Sequence, residues 1–97
     1  MQNSEDKLEI GRVVTSLSGR DKGRSFIITA LDPEGFIYIV DGSLRKLANP
    51  KKKKLKHVRV ENMALPQIAD KIIQGKPVFD GEIRGALMDL GLNIRNR

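Results

Sequence analysis

The stretch "SLSGRDKGRSF", residues 16–26, sets Gly19 and Gly23 four apart among Arg20, Lys22 and Arg24. A glycine-rich loop can cradle a nucleotide phosphate on its backbone N–H groups. That chemistry requires Gly-x-x-x-x-Gly-Lys-Ser/Thr and a helix behind it. Here three residues separate the glycines, Arg24 replaces the lysine, and "SFIITAL", rich in β-branched residues, follows as a predicted strand. The stretch therefore reads as a strand, a glycine turn and another strand, the glycines releasing the backbone from the usual restriction on φ. On this reading the turn holds its charges in water and displays three basic side chains.

Nucleophilic and metal chemistry find little support. His57 is the single histidine and lies in a basic segment. A structural or RNA-contacting role suits it better than catalysis. Ser16, Ser18, Ser25 and Ser43 have no evident base and orienting acid, and the carboxylates are scattered rather than spaced as metal ligands. The expectation is a non-enzyme with no cofactor, metal or small-molecule substrate.

The basic residues point elsewhere. Arg45, Lys46, Lys51, Lys52, Lys53, Lys54, Lys56 and Arg59 fall in a window without a single acid. A lysine run can follow a phosphate backbone while releasing its counterions. Lysines serve there as mobile point charges, whereas Arg12, Arg20, Arg24, Arg45 or Arg59 can fork onto phosphate oxygens or stack on an unpaired base. The four aromatic residues are Phe26, Phe36, Tyr38 and Phe79. Those in strands are assigned to the core, Tyr38 being the best exception. So few stacking platforms favour folded RNA, read through its phosphate geometry and 2′-hydroxyls, over serial stacking on a single strand.

These residues must be held by a small scaffold. The chain has 97 residues, a formal net charge of +6 and no cysteine, which suits one modest core, a polyanionic partner and no disulfide framework. The start "MQNSEDKLEI" lacks the apolar core of a signal peptide and no apolar run approaches bilayer-spanning length, so a cytoplasmic chain away from membranes is expected. Residues 1–7 are polar and expected to fray. From Leu8, "EIGRVVTSL", "SFIITAL" and "FIYIVD" alternate with turn chemistry, including Asp32-Pro33-Glu34-Gly35 and Asp41-Gly42. Further strands are expected at 44–48 and 55–60, with the lysine run between them as a turn, giving five short strands suited to a small barrel.

After Asn62 the apolar period becomes helical. Pro66 opens one predicted helix that Gly75 stops, and Asp80 is the expected N-cap of a second that ends at Gly91. The expected architecture is mainly β with C-terminal α: a barrel over 8–62 and a helical extension over 63–97 packed on it.

With that framework, "EIGRVVTSLSGRDKGRSFIITALD", residues 9–32, resembles the KOW motif, an RNA-associated sequence with a glycine in its turn. The likeness continues through "YIVDGSLRKLANPKKKKLKHV", which is similar to KOW-domain large-subunit ribosomal proteins of the archaeal and eukaryotic type. It covers about residues 9–60. The resemblance implies a five-stranded SH3-like barrel, RNA binding and, by analogy, an association with ribosomal RNA, the ribosome and translation. Gly11 and Gly23 correspond to the family's structural glycines, with Gly19 and Gly35 at turns and Asp41-Gly42 at the later turn. Residues 61–97 do not match those ribosomal proteins, and the family's bacterial stand-alone RNA-binding members fit this length better. Two other roles stay open: a protein-interaction module of the transcription-elongation type, and an adaptor whose helices dock on a ribosomal protein while the barrel holds RNA.

Overall fold

The β-branched runs on either side of the glycine turn form the first two strands, β1 (Arg12–Ser16) and β2 (Ser25–Asp32), in a computed structural model that describes residues 8–94. The terminus expected to fray, residues 1–7, lies outside the described residues. β3 (Phe36–Val40) follows the Asp32–Gly35 turn, closed by Gly35 N–H donating to the Asp32 carbonyl at 3.1 Å. Then come β4 (Lys51–Lys54), one 3-10 turn (Leu55–His57), β5 (Val58–Ala64), α1 (Pro66–Ile73) and α2 (Asp80–Asp89). The protein is mainly β, a five-stranded antiparallel sheet ordered β4-β3-β2-β1-β5, followed by two helices. β4 and β5 are its edges, so the hydrogen-bonded ladder is open rather than a closed ring.

Strands that are apolar on both faces need cover on both. One face buries Val14, Phe26, Ile28, Ile37, Ile39 and Val58 against one another. On the other, Val13, Ile27 and Val40 pack against Ile68 of α1 and Ile83 and Leu87 of α2. Each such side chain contributes roughly 1.5–3 kcal/mol on full burial, so the helices are integral to the core. Gly11, Gly19, Gly23, Gly35 and Gly42 all have positive φ. Two of them also permit close approach. A Cβ at Gly11 would lie 2.6 Å from Ala69 Cβ, and one at Gly42 would collide with the Asp80 carbonyl oxygen at the start of α2.

Four expectations are corrected. Residues 44–48 are not a strand, because carboxylates take up the backbone groups a ladder would need: Asp41 accepts from Ser43 and Arg45 N–H at 3.0 and 2.8 Å, and Asp80 from Leu47 N–H at 2.8 Å. The lysine run, expected as a turn, is the fourth strand instead. As an edge strand it keeps Lys52 and Lys54 in water while pairing with β3. The fifth strand starts later than expected, at Val58, after the 3-10 turn. Lastly, Phe79 is the N-cap of α2 and Asp80 its first residue, the Asp80 carboxylate being directed at Leu47 rather than at its own helix.

Candidate nucleic-acid interface

Side chains alternate across a strand, so the four lysines of β4 divide by face. Lys51 and Lys53 pair with Ile39 and Ile37 and point to the inner face; Lys52 and Lys54 pair with Tyr38 and Phe36 and point outward. Lys53 is buried, and its ammonium donates to Ser16 Oγ at 2.7 Å and to the Ser18 carbonyl at 2.9 Å. Ser16 ends β1, three places from β4 in the sheet order, so the sheet must coil strongly for one side chain to reach across. The consequence is direct: the glycine turn is fastened to the lysine strand.

Burial pushes the Lys53 ammonium below its usual pKa of 10.5; Asp21 opposes the shift, and Lys51 and Arg45 reinforce it. Two further ties hold the turn. Asp21, expected in water, is buried and accepts from Arg45 Nε at 2.9 Å. Arg24 binds Asp41 through Nε and Nη2, both at 2.8 Å, and the Asp41 side chain is wholly buried. Within the turn, Gly23 N–H donates to the Ser16 carbonyl at 2.8 Å and Arg24 N–H to the Asp21 carbonyl at 2.9 Å. Residues 16–24, 41–46 and 51–54 therefore form one continuous region.

The basic residues singled out from the sequence fall into two groups. Arg12 is buried with Glu9 at 2.6 Å, Arg24 and Arg45 are held by Asp41 and Asp21, and Lys53 is inside. Arg59 pairs with Glu61 at 2.9 Å but stays largely exposed. Arg20, Lys22, Lys46, Lys52, Lys54, Lys56 and His57 are exposed, while Lys51 and Tyr38 are half-buried. Among the described residues, no carboxylate lies within ion-pairing distance of Arg20, Lys22, Lys46, Lys51, Lys52, Lys54 or Lys56. The turn thus displays two basic side chains rather than three, since Arg24 is drawn onto Asp41.

Phe36, expected in the core from its strand position, lies outside it. It is half-buried, belongs to neither core cluster and carries the Lys52 ammonium 4.5 Å from its ring centroid. Strand alternation holds the signal that identifies it: Ile37 and Ile39 take the inner face, leaving Phe36 with Tyr38. Among the described residues, no three His, Asp or Glu side chains gather as a metal site, and no helix is long and apolar enough to cross a membrane. No protein-family model matches the chain, and no curated protein matches its sequence.

Proposed function

We propose that this chain is a non-catalytic RNA-binding protein with an SH3-like barrel of the KOW type, acting on structured ribosomal RNA in association with the ribosome, its assembly or translation. The observation that carries the reading is the Lys53 tie. It joins the turn bearing Arg20 and Lys22 to the strand bearing Lys52 and Lys54, so two basic clusters distant in sequence serve one polyanion. Seven cations without an acidic partner among the described residues suit phosphates better than a neutral ligand. The coiling of five antiparallel strands around one inner core supports the barrel. A cytoplasmic setting goes with this function.

Exposed Ile73 and Phe79, at 66% and 69%, favour a second role on the helical side, contact with a protein such as a ribosomal subunit protein. The test is crosslinking to RNA in the native cells and sequencing of the bound fragments, with Lys52→Ala/Lys54→Ala alongside. Crosslinks concentrated at a few ribosomal RNA sites and depleted in the variant are expected. Sparse crosslinks indifferent to both lysines would replace RNA by a protein partner.

A further inference from the structure

The outer face of the sheet is covered by the helices at one end and bare at the other. Along β3 the outward positions are Phe36, Tyr38 and Val40, of which Val40 alone joins the core beneath α1 and α2. Phe36 and Tyr38 lie outside both apolar clusters, and Ala30, paired opposite Tyr38, is too small to cover its ring. Lys54 and Lys52 stand across from the two rings on the edge strand. The Lys52 ammonium over Phe36 shows that this ring face is not sealed by apolar side chains, and a stacking base would displace the ammonium from the ring toward the neighbouring phosphate.

We propose that Phe36 and Tyr38 form a platform on which two consecutive unpaired RNA bases stack, with Lys52 and Lys54 holding the phosphates beside them. The inference rests on the RNA-binding reading and adds to it a demand for a locally single-stranded target. Residues two apart on a strand are separated by roughly 6.7 Å, about twice the ~3.4 Å rise per nucleotide of a stacked strand. Each ring therefore takes one base, and the two bases are splayed rather than stacked on each other. A duplex cannot supply that arrangement, whereas a loop or bulge can. Asp32 pairs opposite Phe36, with its Oδ1 accepting from Glu34 N–H at 2.9 Å. Its charge excludes phosphates from that side and directs the strand along β4.

The sequence provides its own reporter, because Tyr38 is the single tyrosine and there is no tryptophan. Binding is compared for a hairpin RNA with an unpaired loop and a blunt duplex of equal length, using the full chain and its Phe36→Leu and Tyr38→Leu variants. The hairpin should bind more tightly than the duplex. Each substitution should weaken hairpin binding roughly fivefold to a hundredfold, the range for losing one stacked base, and leave duplex binding unchanged. Oligouridine should quench Tyr38 emission. Neither ring belongs to a core cluster, so thermal midpoints should hold; were Phe36→Leu to unfold, Tyr38→Leu and the quenching carry the test alone. If both RNAs bind but the hairpin-to-duplex ratio is the same in every variant, the platform is wrong and the RNA reading stands. Absence of binding to either RNA overturns both, and quenching by an acidic peptide but not by oligouridine assigns the face to a protein.

Discussion

Residues 41–46 and strand β4 are neighbours in sequence and both basic, yet their charges face opposite ways. In the first, Asp41 accepts from Arg24 and from two backbone N–H groups, and Arg45 is drawn onto the buried Asp21. In the second, Lys52 and Lys54 project from an edge strand with no carboxylate within ion-pairing distance among the described residues, while Lys51 and Lys53 point inward and Lys53 alone is buried. The arginines of this region are mostly built into the fold while the lysines are left to a partner. Guanidinium forks suit fixed carboxylates, and ammonium groups on flexible stems suit a mobile polyanion. A count of positive residues therefore overstates the interface until each residue's partner is known.

The sharpest way to break this contrast is at its structural side. Asp41→Ala would leave Arg24 and the Ser43 and Arg45 N–H groups without their acceptor, and should cost at least about 3 kcal/mol of stability in urea unfolding. Lys52→Ala/Lys54→Ala should leave the unfolding curve within about 0.5 kcal/mol of the parent, as expected for exposed positions. Equal losses would erase the distinction between the two regions.

Lys53 stands between the two behaviours and sharpens them. Lys53→Met should change stability near neutral pH by less than about 1.5 kcal/mol, because an apolar group of similar length replaces a buried charge. It should still weaken RNA binding more than Lys52→Met does, since the glycine turn then loses its tie to β4. The pH dependence has a defined sign. Burial lowers the folded-state pKa below 10.5, so the unfolded chain binds more protons in the interval between the two values. The parent should gain stability relative to Lys53→Met as pH rises through that interval and no further above it.

The smallest effect concerns the helical side. Lys71 donates to Glu82 at 2.6 Å, and that hydrogen bond, opposed by desolvation, lowers the Glu82 pKa below 4.5. The stabilisation is complete above 4.5 and is lost as pH falls through the lowered folded value. Acid titration of stability should show this slight loss in the parent and not in Glu82→Gln.

Strands β1, β2 and β3 were legible because β-branched runs bounded by turn residues carry their own signal. Strand β4 was not, since lysine has little intrinsic β preference and these residues extend only because β3 offers partners. Residues 44–48 misled for the converse reason: their amides are taken by Asp41 and by Asp80, which stands more than thirty residues away. Within the candidate site, the charges were plain from the sequence but their engagement was not. Whether Arg24 or Lys22 stays in water depends on which loops meet, and that is a property of the folded chain.

The central claim is that the glycine turn and β4 act as one phosphate-binding surface, and the salt dependence of RNA affinity tests it most directly. The logarithmic slope should fall by about 1.6 when Arg20 and Lys22 are replaced by alanine, by about 1.6 when Lys52 and Lys54 are, and by about 3.2 when all four are, given roughly 0.7–0.9 per phosphate contact. A slope unchanged by either pair, in variants that remain folded, would contradict it.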